Sequence, residues 1–380
     1  MKAAPSRRAG RGVPRQQRSS SMAEALRRDI TRGRFKPGAR FPTRDDLEKR
    51  FDASRATVQK ALDTLMREGF VHAEGRRGTF VSERPPHLSE YALCFAKEPQ
   101  TDVQWSRFYT AIRDESQAIA REGETRFKEY YGLAAGALAD DAKRLADDAL
   151  GGRLAGVVYT YPPFELEGAP VLTECDLPQI AIMDAPQITG VRSVYPSQKS
   201  FLSRAVEYLA QRGRTRIGLM TVTTFRSDLM AYFKETAHEH GLETADEWTQ
   251  AVCLCRNAVP SARNLAKLMV TPRGDARPDA LIIADDNFVE HASAGLVAAG
   301  VRVGEDVDVV AHCNFPWPPP SVLPVKRLGF DIRRLIADSV DVLRRARSGR
   351  KASQVTRIPA VFEDEYAAAT ADRTSQGGAL

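Results

Sequence analysis

The sequence has few of the features that indicate catalysis, secretion or a membrane. Its 380 residues include five cysteines and six histidines, and no apolar run is long enough for a transmembrane helix. The N-terminus lacks the apolar segment of a signal peptide. An odd number of cysteines without paired metal-ligand spacing favours a reducing compartment. We therefore expect a cytoplasmic protein that does not contact the membrane and holds no metal or other cofactor.

The short motifs of common catalytic sites are also missing. There is no phosphate-binding Gly-x-x-x-x-Gly-Lys-Ser/Thr loop, no His-Glu-x-x-His zinc motif and no Gly-x-Ser-x-Gly nucleophile turn. His238 and His240 stand two residues apart on a predicted helix, so they cannot face one ligand. These absences argue against an enzyme, and we expect no catalytic residues.

Charge is distributed unevenly along the chain. Residues 1–89 contain 21 lysines and arginines against 10 acidic residues, whereas the remainder is net acidic. This asymmetry is typical of a protein that meets nucleic acid at one end. The first twenty residues hold six basic residues and no acidic one, and they predict a disordered basic arm at 1–20. A solvated tail without a binding role is an equal alternative.

Residues 21–83 indicate three short helices followed by a hairpin. Helices are predicted after Ser21, Thr43 and Ser54, each of which can serve as an N-cap. A glycine-bounded turn at 74–78 carries two arginines between strand-like segments. The third helix has an amphipathic apolar stripe, made of Val58, Ala61, Leu62 and Leu65. This order of elements can place one helix in the major groove of DNA and a β-wing beside it.

This segment resembles the winged helix-turn-helix of the GntR-type bacterial transcription regulators. The matching residues are Pro37-Gly38, Pro42, Leu47, Ser54-Arg55, Thr57-Val58, Ala61-Leu62, Leu65, Glu68-Gly69 and Arg77-Gly78-Thr79-Phe80-Val81. In that family the Ser-Arg-x-Thr-Val segment opens the recognition helix, and the Gly-Thr-Phe-Val wing lies in the minor groove. The resemblance implies DNA contact by Ser54, Arg55, Thr57, Arg76, Arg77, Gly78 and Thr79.

Two further residues join this set of DNA-contact candidates. Gln59 lies off the predicted apolar stripe, and its amide offers a donor and an acceptor to base edges. The family usually has an arginine at position 45, whereas this chain has its arginine one position earlier, at Arg44. Arg44 can still reach a phosphate from the start of the second helix.

The remaining chain predicts an α/β fold. Residues 84–90 include Pro85-Pro86 and predict a stiff linker. From 91 to 365, helical segments alternate with apolar strand-like runs, which are 91–96, 126–131, 156–160, 179–184, 216–222, 251–255, 280–285 and 307–313. Continuously apolar strands are typical of parallel sheets covered on both faces. We expect two doubly wound lobes with a ligand cleft at the strand carboxyl ends, and a flexible tail at 366–380.

A second resemblance, over most of 91–365, is to LacI-type sensor domains. The residues that carry it are Leu177–Asp184, Ser193–Tyr195, Ala205–Leu209, Arg212–Ile217, Pro278–Leu281 with Asp285-Asp286, and Gly304–Val310. That family has a periplasmic-binding-protein fold, dimerises through this domain and usually binds a sugar or nucleobase. The two domains together resemble arabinose-repressor-type regulators. They imply a homodimer that binds a double-stranded DNA operator under the control of a small, sugar-like effector.

The ligand positions of that family are only partly retained. Its arginine falls at Asp228 and its late aspartate at Cys313. Candidates for the cleft wall stand at or just after predicted strand ends, and they are Tyr159, Asp184, Tyr195, Asp228, Asp285, Asp286, Asn314 and Phe315, with Tyr161, Phe225 and Trp317 as further stacking surfaces. If Asp228, Asp285 and Asp286 face one cleft, the pocket is acidic and favours a neutral polyol or a cation. The alternative is a C-terminal domain that has lost small-molecule binding and serves dimerisation or protein contact.

Overall fold

The computed structural model describes residues 15–99, 106–184, 187–254, 258–271 and 274–377. Most of the predicted basic arm lies outside these residues, as do the last residue of the strand predicted at 251–255 and the end of the predicted tail. No helix among the described residues combines the length and apolarity needed to cross a bilayer.

The N-terminal head is a three-helix unit with a two-stranded wing, as predicted. Its elements are α1 (Arg15–Thr31), α2 (Arg44–Phe51), α3 (Arg55–Arg67), β1 (Val71–Ala73) and β2 (Thr79–Val81). β1 and β2 pair antiparallel with Val71 opposite Val81. Apolar residues from all three helices and the wing fill the interior, and the largest of them are Met22, Leu26, Ile30, Phe41, Leu47, Leu62, Leu65 and Phe70. Burial of these faces supplies most of the stability of such short helices.

The first helix is longer than the sequence predicts. α1 begins at Arg15, so residues 15–20 belong to the helix rather than to the arm, and Ser21 is not its N-cap. Ser19 is buried. α1 therefore packs against the rest of the head at a position N-terminal to its first apolar residue, Met22. Residues 15–20, whose polar composition predicted disorder, are therefore part of a helix that tertiary contacts hold in place.

The rest of the described chain forms two α/β lobes, as predicted. The strands are β3 (Glu90–Cys94), β4 (Arg126–Tyr130), β5 (Gly156–Tyr159), β6 (Gln179–Ala181), β7 (Val191–Pro196), β8 (Ile217–Val222), β9 (Thr249–Val252), β10 (Ala280–Ile283), β11 (Asp308–Phe315), β12 (Lys326–Asp331), β13 (Val355–Ile358) and β14 (Val361–Phe362). The helices are α4 (Pro86–Ser89), α5 (Arg107–Arg121), α6 (Asp140–Leu150), α7 (Pro170–Thr173), α8 (Gln198–Gln211), α9 (Ser227–Glu239), α10 (Ala258–Val270), α11 (Val289–Ala299), α12 (Ile332–Arg347) and α13 (Glu363–Gly377).

Each lobe contains one six-stranded sheet. The N-lobe sheet has the order β13-β7-β6-β5-β3-β4 and is parallel throughout. The C-lobe sheet has the order β14-β12-β11-β10-β8-β9 and is parallel except for the edge strand β14. The chain passes between the lobes at 196–198, 331–332 and 358–361. Three short crossovers side by side form a hinge, and the cleft between the lobes opens beside it.

The structure corrects two predicted boundaries. The stiff linker at 84–90 contains the short helix α4, and β3 already begins at Glu90. The flexible tail predicted at 366–380 is helical as far as Gly377. Tyr366 stacks on Phe315 with ring centroids 4.7 Å apart, and Glu363 pairs with Arg327 at 2.9 Å. These contacts hold α13 against the C-lobe and explain why a polar, alanine-rich segment is ordered there.

The head packs against the N-lobe through the C-terminal end of α3. Glu68 accepts three hydrogen bonds from Arg27, at 2.6, 2.8 and 3.0 Å, and lies 3.7 Å from Arg153 of the N-lobe. The Phe70 ring stacks on the buried ring of His87 in α4, with centroids 5.9 Å apart. Because α3 is about 20 Å long, its N-terminal end lies far from this contact with the N-lobe.

Candidate functional site

α2 begins at a capping box. The Asp46 N–H donates to Thr43 Oγ1 at 3.3 Å, and the Thr43 N–H donates to Asp46 Oδ2 at 3.1 Å. The predicted cap at Thr43 is confirmed. Asp52 ends the helix with φ 46°, in the left-handed region, and turns the chain into α3 within a few residues. Arg44 is exposed at the first position of α2, and its contact with phosphate stays a prediction.

α3 presents its N-terminal end to solvent. Ser54 Oγ accepts the Thr57 N–H at 3.4 Å, which confirms the predicted cap, and it lies 3.0 Å from Thr57 Oγ1. Thr57 is only 6 % exposed. Its hydroxyl therefore lies under the cap, and its predicted contact with DNA is untested. The residues on the open face of α3 are Arg55, Ala56, Lys60, Asp63 and Arg67, with Gln59 at its margin.

The wing places exposed arginines beside this helix end. Arg76 and Arg77 form the tip, and Arg77 lies 2.8 Å from Glu74 and over the Phe80 ring. Gly78 has φ 112°, and a Cβ there would lie 3.4 Å from the guanidinium of Arg40. Sequence reasoning missed Arg40, which a β-bridge to Phe80 brings alongside the wing. The start of α3 and the wing together make a cationic surface suited to a phosphate backbone.

Between the lobes lies a cleft of about 1110 Å³. Six of the predicted effector-binding residues line it, namely Asp184, Tyr195, Asp228, Asp285, Asp286 and Asn314. Tyr161, named as a stacking surface, lines it as well, whereas Phe225 and Trp317 do not. The carboxyl ends of strands from both lobes meet here, as expected for facing α/β sheets. Effector binding by these residues stays a prediction.

Two predicted cleft residues are placed elsewhere. Tyr159 is the last residue of β5 and is fully buried in the N-lobe core, where its hydroxyl donates to Gln179 at 2.9 Å. Phe315 follows Asn314 in β11, and successive side chains of a strand point to opposite faces. Because Asn314 faces the cleft, Phe315 faces away and stacks on Tyr366. Neither residue belongs to the cleft wall.

The cleft floor is a buried network of carboxylates and amides. Asp286 Oδ2 accepts from Asn314 Nδ2 at 2.8 Å and lies 3.8 Å from Arg107 Nε, while Asp285 Oδ1 accepts from Asn287 Nδ2 at 2.7 Å. Burial raises the pKa of Asp286 to about 6, although the bond from Asn314 acts in the opposite direction. Burial, and then the neighbouring Asp286, also raise the pKa of Asp285. The floor therefore carries less negative charge near neutrality than two free aspartates would.

The cleft mouth corrects the prediction of an acidic pocket. Asp228 does face the cleft, but it is exposed and pairs with Arg226 at 2.9 Å. Arg226 also pairs with Asp184, so that one guanidinium joins the C-lobe to the N-lobe. Lys97, Lys199 and Arg357 line the cleft too. With Arg226 they match the four aspartates in number, so the cleft is of mixed charge.

Several buried polar atoms around the cleft lack a hydrogen-bond partner among the described residues. They are Tyr161 Oη in the N-lobe, Gln198 Oε1 at the hinge, and His312 Nδ1 and Asn314 Oδ1 in the C-lobe. Burial lowers the pKa of His312 to about 4, so its ring is neutral near pH 7. Buried polar atoms are normally paired. Donors and acceptors that converge from both lobes on one cleft suit a small polar molecule.

Sequence reasoning did not find several of these cleft residues. Gln198 and Lys199 begin α8 directly after a crossover, and Arg357 lies in β13, which the strand pattern did not predict. His312 lies within β11, where it reads as a core residue. Only the pairing of distant strands brings these residues to one edge. No local signal could have identified them.

Comparison with known proteins finds one family match for the head and another for the lobes. Residues 18–81 match the bacterial regulatory proteins of the gntR family, and residues 206–362 match the periplasmic binding protein-like domain. Over 81 residues the chain is 32% identical to the mannosyl-D-glycerate transport/metabolism system repressor of Escherichia coli, a match that covers 21% of this chain and 34% of that protein. The chain thus spans about a third or less of the length of the curated relatives it matches first.

Solved structures resemble the body of the chain. The Escherichia coli transcriptional repressor ascG has a TM-score of 0.54 at 15% identity, and the match covers 72% of this chain and 97% of that one. A LacI family regulator from Lactobacillus casei with bound glucose has a TM-score of 0.53 at 15% identity, over 72% of this chain and 98% of that one. At such identities the likeness establishes the fold alone. The chain therefore combines a GntR-family helix-turn-helix domain with a periplasmic-binding-protein-like domain.

Proposed function

We propose that this protein is a transcription regulator, acting as a repressor, whose head binds a double-stranded DNA operator. The observation that carries the proposal is the orientation of the head. Glu68, at the C-terminal end of α3, lies 3.7 Å from Arg153 of the N-lobe, so the cationic start of α3 lies at the opposite end of the helix, about 20 Å from that contact. Arg76 and Arg77 at the wing tip are exposed as well. Relatives that share the head are named as repressors, which supports repression rather than activation.

A first experiment tests the head as the DNA-binding surface. Selection from random duplexes would define the operator, and binding would then be measured for single alanine variants of Arg55, Arg76 and Arg77. Arg55→Ala should relax base discrimination at a cost of about 1–3 kcal/mol. Each wing variant should weaken binding evenly across sequences and reduce the salt slope by about 0.9 per lost phosphate contact.

Lys267→Ala provides the control, since Lys267 is an exposed cation on α10 of the distant C-lobe. It should leave both the affinity and the salt slope unchanged. Unaltered operator binding in all three head variants would remove the head from the DNA interface.

We further propose that a small polar molecule bound in the cleft controls the head. The unpartnered atoms of Tyr161, Gln198 and Asn314 support this because they approach one space from both lobes and the hinge. A ligand that satisfied them would tie the lobes together and change the relation of the two heads in a homodimer. The glucose held by the Lactobacillus casei neighbour supports a polyhydroxylated ligand of sugar size.

Thermal-shift measurements on the full chain test the effector. Neutral sugars, sugar acids and sugar phosphates should be screened together, because the cleft carries both signs of charge. A true effector should raise the melting temperature of the wild type, and Asn314→Ala should abolish that rise because the floor then loses a donor and an acceptor. Trp317→Ala, outside the cleft, should retain it.

Absence of stabilisation across the panel would favour the alternative, in which the body serves dimerisation or protein contact. One observation already speaks for that alternative. Arg226 of the C-lobe pairs directly with Asp184 of the N-lobe, so side chains of the chain itself already join the lobes.

A further inference from the structure

The open face of α3 carries an acidic residue where a DNA-binding helix would be expected to be basic. At about 100° per residue, Asp63 lies opposite the buried stripe formed by Val58, Leu62 and Leu65. Ala56 lies two turns earlier on the same face of the helix. The carboxylate of Asp63 therefore projects from the side of the helix that the proposed function presents to the major groove.

Asp63 is engaged by a neighbouring side chain. Gln59 Nε2 donates to Asp63 Oδ1 at 2.7 Å. A carboxylate only accepts hydrogen bonds, so this bond decides which end of the Gln59 amide faces Asp63. It leaves Gln59 Oε1 and the second N–H of Nε2 in one defined plane. These two groups are the acceptor and donor that pair with N6 and N7 of adenine.

Within the part of the chain that the structure describes, no lysine or arginine forms an ion pair with Asp63, and its recorded partner is Gln59. Non-specific binding to DNA depends on attraction between cations and phosphates. A carboxylate on the groove face opposes that attraction whatever the sequence. In the proposed complex, this carboxylate would lower the affinity for any DNA sequence, and the loss would be smallest where Gln59 contacts its base.

From these observations, which rest on the proposed function, we propose that Asp63 is a specificity-determining positioning residue. It holds the Gln59 amide in the orientation that reads an adenine and weakens binding to other sequences. The simpler alternative is a helix-stabilising pair at i and i+4, worth a few tenths of a kcal/mol. That alternative requires no change in base preference when Asp63 is replaced.

The test is selection of the full chain on a library of random duplexes, followed by sequencing. Wild type should enrich an adenine at one column of each half-site, and Gln59→Ala should lose that column alone. Asp63→Ala should reduce the same preference on the order of tenfold, the size of a good bidentate contact. Asp63→Asn should retain it, because its amide oxygen still accepts from Gln59. The double variant Q59A/D63A should match Q59A.

Binding to a duplex without the selected motif supplies the second readout. Asp63→Ala and Asp63→Asn should both bind it several-fold more tightly, on the order of one cation–phosphate contact. Glu24→Gln removes an exposed carboxylate from α1 of the same head and should alter neither readout. Circular dichroism melting of each variant separates a fold defect from a change in recognition.

The possible outcomes separate the two proposals. An Asp63→Ala motif identical to that of wild type would overturn the role of Asp63 and leave the proposed function intact. A further loss of preference in Q59A/D63A compared with Q59A would show that Asp63 does not act through Gln59, and it would overturn the inference as well. Wild type that enriches no motif would refute both.

Discussion

At the scale of single residues, Asp286 combines deep burial with a chemical role in the proposed effector site. Its pKa is raised to about 6 by burial. Between pH 4 and pH 6 the unfolded chain has lost this proton while the folded chain retains it, so the stability falls as the pH rises through that window. Above pH 6 the folded protein carries a buried charge, and the cation that the described residues bring near it is Arg107, at 3.8 Å.

We therefore expect Asp286→Asn to stabilise the protein at pH 7.5 by on the order of 2–3 kcal/mol. The asparagine keeps an oxygen that can accept from Asn314. The gain should shrink as the pH falls and vanish at about pH 3, below the ordinary aspartate pKa, where the wild-type carboxyl is protonated in both states. Denaturant unfolding from about pH 3 to about pH 8 measures this dependence.

Asp228→Asn is the matched control because it removes an exposed carboxyl from the same cleft. It should not reproduce the gain at neutral pH. A destabilised Asp286→Asn variant at pH 7.5 would show instead that Arg107 and Asn314 fully compensate the charge.

At the scale of elements, α4 is the joint between the head and the N-lobe. His87 is 6 % exposed and stacks on Phe70 of the head. Burial lowers its pKa to about 4, and the positive charge of Arg347 acts in the same direction. A free imidazole binds a proton near pH 6.5, whereas the docked ring remains neutral. The contribution of the docked His87 ring to the stability of the contact between head and N-lobe is therefore full at neutral pH, and it is lost as the pH falls from 6.5 towards 4.

The joint should weaken by about 2 kcal/mol between pH 7 and pH 5. His87→Phe keeps a ring against Phe70 but cannot be protonated, so it should remove the dependence. Distances between spin labels placed on the head and on the N-lobe would report undocking. His240→Gln, at an exposed helix end, should behave as wild type. Equal acid sensitivity in His87→Phe would assign the effect to another group.

At the scale of the whole molecule, a single winged head offers DNA a small interface, so tight and selective binding calls for two heads. We expect the full chain to be a dimer at micromolar concentration, and sedimentation equilibrium measures this directly. Half-sites should be read about one helical turn apart or at a multiple of it. Inserting about 5 base pairs between them should weaken binding far more than inserting about 10. A monomer at micromolar concentration would contradict the proposal and leave pairing to the DNA.

Local sequence patterns predicted most of the head correctly but only some of the cleft residues. The caps at Thr43 and Ser54 and the stripe on α3 depend on neighbours within one turn, and all are present in the structure. The cleft residues Asp184, Asp228 and Asn314 were found because parallel strands end at a common edge. Tyr159 and Phe315 were misplaced because a strand end does not reveal which face of the sheet is covered.

The sequence by itself determined the two-domain organisation, the cationic head and the paired α/β lobes, because periodicity, capping and charge act over a few residues. Tertiary structure alone decided which side chains share a space. β13 joins the N-lobe sheet although it follows the C-lobe strands, and it brings Arg357 to the hinge. α13 is ordered because Phe315 and Arg327 meet it. The mixed charge of the cleft arises from such long-range contacts, which local spacing does not encode.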